Sequence, residues 1–267
     1  MGDPAPVYSP DDVTSDWLSE VLTAAGVLDT AQVVDFDAED IGTGQVGANV
    51  RFTLRYDSDH TAAPGSVVGK FAARDDISRA TGIATLTYET EVAFYRDLAP
   101  TVDVSRPHCY LAALESGTAN VVVVMEDLAP AEQGDQIIGC SVEQATLAVD
   151  EAVRLHGPRW GDATLKELTW LDRSTTQGGL TSLMGMMWGG FVERYRATLD
   201  DVTIEAGSQL VASADRLREH TPKALTAIHY DYRLDNMLFH PEPTSARPLV
   251  VVDWQTVQLG LGAADVA

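Results

Sequence analysis

The sequence predicts an α+β fold in two lobes: an antiparallel β-sheet lobe with one main helix, then a mostly helical lobe. Three observations carry this. Residues 33–126 hold short alternating or continuous apolar runs separated by glycine- and proline-containing turns, as antiparallel strands require. From Ser141 to Glu219 the apolar spacing changes to the helical period. Between them a polar run ending at Gly139 reads as a linker. The expected boundaries are therefore 1–127 for the N-terminal lobe, 128–139 for the linker and 140–267 for the C-terminal lobe.

Each element follows in order. Ser9-Pro10-Asp11-Asp12 has the marks of a helix start: Ser9 as N-cap, Pro10 at the first helical position and two acids in the first turn. Trp17, Leu18, Val21 and Leu22 follow at helical spacing, and Gly26 ends the helix. Val33 to Ile41 is an irregular strand and Val50 to Tyr56 an alternating one, joined by Gly42-Thr43-Gly44-Gln45-Val46-Gly47. Glycines there let the backbone turn sharply and bring N–H groups toward phosphate oxygens, although a plain hairpin turn is the simpler reading of that segment alone. With no helix after it and no Gly-Lys-Ser/Thr, it fits neither a P-loop nor a Rossmann turn. Ser66 to Ala72 is the third strand. Its Lys70 sits among apolar residues, so it either faces solvent or must meet a partner, since an unpaired buried charge is costly.

Ile83 to Leu98 reads as one helix stopped by Pro100. Glu89 and Glu91 lie two apart and cannot share a face; Glu91 is expected to turn inward toward Lys70. Pro107–Leu114 and Ala119–Met125 form a hairpin closed by Glu115-Ser116-Gly117, and the continuous run Val121 to Val124 marks a buried strand. Ser141-Val142-Glu143-Gln144 starts the next helix, with Glu143 at N2 and so no capping box. That helix runs to His156, which is expected to cap or pack rather than ligate. Leu180 to Leu199 gathers Leu183, Met184, Met186, Met187, Trp188, Phe191 and Tyr195, a cluster expected in the core or, as the sharper alternative, lining an acceptor pocket. Ser208 to Glu219 is the last helix.

Composition bounds the function. With 267 residues and 45% hydrophobic content the chain can bury a sizeable core. It has 18 basic against 40 acidic residues, a net charge of −22, which disfavours nucleic-acid binding. The same charge would attract cationic small molecules, or simply keep the surface soluble. No apolar run reaches the length of a membrane span, and the N-terminus lacks both a secretory pattern and a myristoylation context. Two cysteines, Cys109 and Cys140, make no disulfide framework, so a reducing cytoplasm is the expected location. The histidines are scattered without zinc spacing.

The chemistry concentrates near the C-terminal end, in Ile228-His229-Tyr230-Asp231-Tyr232-Arg233-Leu234-Asp235-Asn236 and the apolar run Leu249 to Val252 that ends on Asp253-Trp254-Gln255. Phosphoryl transfer needs such a set: a carboxylate near the attacking hydroxyl, and an amide and a carboxylate offering hard oxygens to Mg²⁺.

Taken as a series, the glycine-rich hairpin, the strand lysine, the helix glutamate, His-x-Asp-x4-Asn and apolar-Asp-Trp resemble the kinase-like phosphotransferase superfamily. Within it they are similar to the aminoglycoside phosphotransferase, choline kinase and ecdysteroid-kinase-like families. The segments Glu91 to Leu98, Met125-Glu126-Asp127-Leu128 and Gly260 to Ala267 strengthen the likeness, which spans about residues 40 to 267. It implies a two-lobed protein-kinase-like fold and ATP and Mg²⁺ as cofactors. By the resemblance, Asp231 is the catalytic residue, and Asn236 and Asp253 hold the metal. Lys70, positioned by Glu91, contacts the α- and β-phosphates. Thr43, Gly44 and Gly47 cover the phosphates, and the backbone of Glu126 and Leu128 meets the adenine edge. His229 and Asp265 brace the loop through hydrogen bonds.

Two departures stand out. Tyr230 occupies a position where these families mostly have glycine. The chain also stops 14 residues after Asp253, where the families continue with helices, so the C-terminal lobe is expected to be incomplete. The implied function is an ATP-dependent phosphotransferase acting on a hydroxyl of a small molecule, aminoglycoside-, amino-alcohol- or sterol-like. The alternative is a catalytically impaired nucleotide-binding module. No nucleic-acid or membrane partner is expected, and nothing indicates the oligomeric state.

Overall fold

The computed structural model describes residues 4–42, 47–58, 63–219, 224–242 and 244–266. Ser9 accepts a hydrogen bond from the Asp11 N–H, but the turn it caps, Pro10–Asp12, is a single 3-10 turn. The true first helix, α1 (Ser15–Ala24), starts at a second cap, where Thr14 Oγ1 accepts from the Trp17 N–H at 3.1 Å. Two adjacent capping signals thus compete, and the one nearer the apolar stripe begins the longer helix. Gly26 ends it at φ +75°, the left-handed conformation that glycine adopts without a Cβ clash.

Five antiparallel strands follow: β1 (Val33–Ile41), β2 (Gly47–Tyr56), β3 (Ser66–Ala72), β4 (Cys109–Leu114) and β5 (Val121–Glu126), in the order β1-β2-β3-β5-β4. Strand periodicity sorts their side chains between two cores. Phe52, Val67, Phe71, Val122 and Val124 pack under α1, against Leu18, Val21 and Leu22. Val121, Val123 and Met125 face the opposite way. That second core also takes Phe94, Leu98, Leu155, Leu165, Val251 and Trp254, so it runs from the sheet into the C-terminal half. The apolar run of β5 is therefore buried on both faces, as its lack of alternation requires. Lys70 alternates with Phe71 and shares the face of Val68 and Ala72, toward the second core.

The single helix expected over Ile83 to Leu98 is divided. Helix α2 (Asp76–Ala84) stops at Thr85, Leu86 takes φ 56°, and α3 (Thr87–Ala93) starts anew before a π-helical turn at Phe94–Leu98. The guanidinium of Arg173 holds the break by donating to Thr85 O at 2.5 Å and to Thr90 Oγ1 at 2.6 Å. An apolar pattern that continues across a break hides it, because both halves face the same core.

Strand β6 (Glu132–Gln133) lies within the expected linker. Helix α4 (Val142–His156) follows it, then α5 (Ser174–Tyr195) and α6 (Asp201–Glu219). The start of α4 does form a capping box. Ser141 Oγ accepts from the Gln144 N–H, and Gln144 Oε1 accepts from the Ser141 N–H, because Gln144 and not Glu143 stands at N3. The expected core role of the methionine-rich cluster is overturned: Met184, Met186 and Met187 are 47%, 76% and 60% exposed. Helix α5 lacks a single apolar stripe, so packing chiefly on α6 leaves these methionines uncovered.

Four short strands complete the chain: β7 (Thr226–Ile228), β8 (Met237–Phe239), β9 (Leu249–Val251) and β10 (Gln258–Gly260). They pair as β6-β8-β9 and β10-β7. No helix among the described residues is long and apolar enough to cross a membrane.

Candidate functional site

Three segments far apart in sequence converge on Lys70. Its Nζ lies 2.8 Å from Glu91 Oε1, at the inner face of α3, and 2.7 Å from Asp253 Oδ1, just beyond β9. Glu91 is 5% exposed and Lys70 is largely covered. Burial alone would lower the lysine's pKa, yet the two carboxylates hold it above its ordinary value. Burial raises the pKa of Glu91, and the lysine only partly offsets that. For Asp253, burial acts upward but the Lys70 charge and hydrogen bond win, leaving its carboxyl below the usual range. Lys70 thus counters a buried acid, Glu91, and a half-buried one, Asp253, at once. Glu89 turns elsewhere, with Oε1 accepting from the Gly117 N–H.

The last residue of the glycine-rich connection reaches the same place. Gly47, the first residue of β2, lies so close that an added Cβ would sit 3.2 Å from Phe71 O and 3.4 Å from Lys70 Cε. Thr43 and Gly44 lie outside the described residues.

The loop after β7 is held from behind. Asp265 is buried; its Oδ2 accepts from the His229 N–H at 2.8 Å, and its Oδ1 accepts from the Tyr230 N–H at 2.7 Å. His156 Nε2 lies 2.8 Å from the same Oδ2. The imidazole of His229 is wholly buried, with Nε2 3.0 Å from Val252 O and Nδ1 without a partner among the described residues. Burial lowers its pKa from the ordinary value. Thr256 Oγ1 donates to His229 O at 2.8 Å, and the Trp254 ring stacks on Phe94 at 4.0 Å beside it. Tyr230 takes φ 70°, which accounts for the glycine that the resembling families carry there.

Asp231 emerges from this braced loop partly exposed. Its Oδ2 accepts from Asn236 Nδ2 at 2.9 Å, and that amide also donates to Asp231 O at 2.8 Å. Arg233 Nε is 3.4 Å from Asp231 Oδ1. The pairing of β8 with β9 brings Asn236 to Asp253: the Val252 N–H donates to Asn236 O at 3.0 Å. The donor set fits Mg²⁺. It offers one carboxylate and one amide, both with hard oxygens, and leaves the remaining positions to phosphates and water. Among the described residues no cluster of three or more His, Cys, Asp or Glu could hold a metal by itself.

Glu126 ends β5 with its N–H already donating to His108 O at 2.8 Å, so only its carbonyl can serve a ligand at this edge. Its carboxylate takes a hydrogen bond from Arg247 at 2.8 Å. The Leu128 carbonyl accepts from the Ala131 N–H at 2.8 Å, leaving its own N–H as the donor it can offer.

Between them, Asp127 is the residue that the sequence argument passed over. Its carboxylate is 5% exposed and accepts from Arg51 Nε at 2.6 Å, Arg51 NH2 at 3.0 Å, Ser66 Oγ at 2.7 Å and the Ala129 N–H at 3.1 Å. Burial opposes this, but the donors hold the carboxyl below its ordinary pKa. Only its place inside Met125-Glu126-Asp127-Leu128 could have drawn attention to it. The bond of His156 to Asp265 was also unforeseen, since nothing local separates a capping histidine from a bracing one.

Comparison with known proteins bears on family and fold. A family model described as "Phosphotransferase enzyme family" matches residues 77–267. Acyl-CoA dehydrogenase family member 10 of Mus musculus is 36% identical over 103 residues, 38% of this chain, and the match covers 9% of that protein's length. The GDP and kanamycin complex of APH(2")-IIia aligns with a TM-score of 0.55 at 15% identity, covering 92% of this chain and 74% of that one. The GDP complex of wild-type aminoglycoside 2'-phosphotransferase-IIIa gives 0.53 at 16% identity, covering 87% and 71%. The aminoglycoside-3'-phosphotransferase of type VIII gives 0.51 at 18% identity, covering 86% and 75%. At such identities the shared property is the two-lobed kinase-like fold.

Proposed function

The chain belongs to the phosphotransferase enzyme family, and from that premise we propose that it is an ATP-dependent kinase moving the γ-phosphoryl group to a hydroxyl of a small molecule. The observation that carries this reading is the junction at Lys70. A lysine from β3, a glutamate from α3 and an aspartate after β9 meet within 2.8 Å. A merely structural site has little reason to hold one largely covered cation between two acids, one of them buried and the other half-buried, because each ion carries a desolvation penalty. A site that must receive both polyphosphate and a metal has that reason.

On this reading Lys70, positioned by Glu91, meets the α- and β-phosphates, and Asp253 exchanges its ion pair for the metal. Asn236 and Asp253 would hold Mg²⁺, which when bound offsets the charge of the β- and γ-phosphates. Thr43, Gly44 and Gly47 cover the phosphates. Glu126 offers the adenine edge a carbonyl and Leu128 an N–H. Asp231 accepts or orients the proton of the attacking hydroxyl; the Asn236 amide fixes its carboxylate at Oδ2, so a hydroxyl approaching Oδ1, beside Arg233, meets it in one orientation. Residues 1–127 then form the nucleotide-binding lobe, 128–139 the hinge and 140–267 the catalytic lobe.

The test is transfer of label from γ-³²P-ATP, and in parallel from γ-³²P-GTP because solved fold neighbours hold GDP. The acceptor panel spans aminoglycosides, amino alcohols and sterols. Transfer is expected with at least one acceptor and should fall by more than about 100-fold in Asp231→Ala, the range of a lost general base. MgATP binding with no transfer to any acceptor would replace this reading with that of a nucleotide-binding module.

A further inference from the structure

Tyr230 holds a conformation that glycine adopts freely and that tyrosine adopts only under strain, at φ 70°. The chain does not let it relax. Its N–H is fixed to Asp265 Oδ1, and the preceding residue is fixed at both its N–H and its carbonyl, by Asp265 Oδ2 and Thr256 Oγ1. The backbone is thus held in this conformation from outside, while among the described residues the side chain takes no part in holding it. The side chain is 51% exposed, and among the described residues neither its ring nor its hydroxyl has a hydrogen-bond or aromatic partner. Strained non-glycine backbones that the surroundings hold in place cluster at active sites and ligand clamps, so an exposed ring presented by one points to a functional contact. The ring stands immediately before Asp231, the residue read above as the one facing the acceptor hydroxyl.

We propose that Tyr230 is a specificity-determining residue whose exposed ring forms a platform for the acceptor, selecting alcohols with a ring or alkyl face beside the reactive hydroxyl over small polyols without one. The proposal rests on the kinase reading, because Asp231 places the acceptor. It narrows that reading: a flat, partly apolar acceptor can lie on the ring while its hydroxyl reaches the carboxylate. The backbone position that glycine would leave bare becomes one wall of the acceptor site.

The experiment uses the protein saturated with Mg²⁺ and a non-hydrolysable ATP analogue, with benzyl alcohol, cyclohexylmethanol and glycerol as probes followed by saturation-transfer NMR. The two ring alcohols are expected to bind wild type, and glycerol not. Their affinity should fall at least 10-fold in Tyr230→Gly and return in Tyr230→Phe, which keeps the ring and loses only the hydroxyl. A role confined to loop structure would leave the affinity for both ring alcohols unchanged in Tyr230→Gly as well as in Tyr230→Phe. Relief of strain should also raise the Tm of Tyr230→Asn by about 2 °C, since asparagine tolerates the left-handed region. Ring alcohols that fail to bind wild type, that bind Tyr230→Gly equally well, or a lowered Tm in Tyr230→Asn would each overturn the proposal. Tyr230-dependent binding with no phosphoryl transfer to any alcohol would sink the kinase reading and leave the platform standing.

Discussion

Replacing Asp265 should damage the protein more than replacing any exposed acid, although Asp265 does no chemistry on the present reading. Its two carboxylate oxygens serve three groups: the His229 N–H at 2.8 Å, the Tyr230 N–H at 2.7 Å and His156 Nε2 at 2.8 Å. Asp265→Ala leaves all three without that acceptor. An orphaned buried donor costs about 1–3 kcal/mol. We assign about 1.5 kcal/mol each to His229 and His156, which are buried, and about 1 kcal/mol to the N–H of Tyr230, whose residue water can reach. The sum is about 4 kcal/mol, a large part of the ~5–15 kcal/mol that holds a typical domain. Asp265→Asn keeps one acceptor oxygen and turns an NH₂ toward a backbone N–H, so about half of the loss is expected. Urea denaturation followed by tryptophan fluorescence measures both variants, at two salt concentrations because a buried network should be little screened. Asp265→Ala within about 1 kcal/mol of wild type, or a loss that shrinks strongly at high salt, would refute the reasoning.

Two further outcomes follow from the buried charges. Lys70→Met strips the cation from Glu91 and Asp253, so both carboxylates should titrate above their ordinary values; acids with a raised folded-state pKa lose stability as pH rises through it, and the variant should therefore be less destabilised at pH 5 than at pH 8, checked by urea midpoints at both. His229 is held neutral by burial, with a folded-state pKa below its ordinary 6.5, so the unfolded chain takes up the proton first. Its contribution is complete above about pH 6.5 and fades below it, at up to about 1.4 kcal/mol per pH unit; His229→Gln should flatten the dependence of Tm on pH between 6.5 and 5, and an unchanged slope would count against the assignment.

Much of the site was legible because its chemistry is written in residue types that have few other uses in such places. A lysine inside an apolar strand asks for a partner, and Glu91 meets Lys70 as expected; that Asp253 pairs with the same lysine and that Asn236 bonds to Asp231 appears only in the folded chain. What escaped notice depends on geometry that a linear pattern does not carry. The break at Leu86 lies inside an unbroken apolar period. Asp127 finds Arg51 and Ser66 only because β2, β3 and β5 are neighbours in the sheet. His156 meets Asp265 only when α4 crosses behind the loop. The outward-facing methionines of α5 failed for a different reason, since a helix without a distinct apolar stripe does not say which side is covered.

The arrangement of strain against support gives the site its logic. Three non-glycine residues take positive φ among the described residues: Leu86, Tyr230 and Asp253. Two of them flank the proposed chemistry, and the third starts the helix that aims Glu91. Each is pinned by groups outside its own turn: Arg173 holds the carbonyl before Leu86, Asp265 holds the N–H of Tyr230, and Lys70 grips the carboxylate of Asp253. Such backbones persist only where the surroundings over-determine them. On the kinase reading Asp265 and Arg173 hold the site in shape without touching phosphate while Lys70 does both, so Asp265, Arg173 and Asp127 belong with Lys70 and Asp231 in how this chain places its charges.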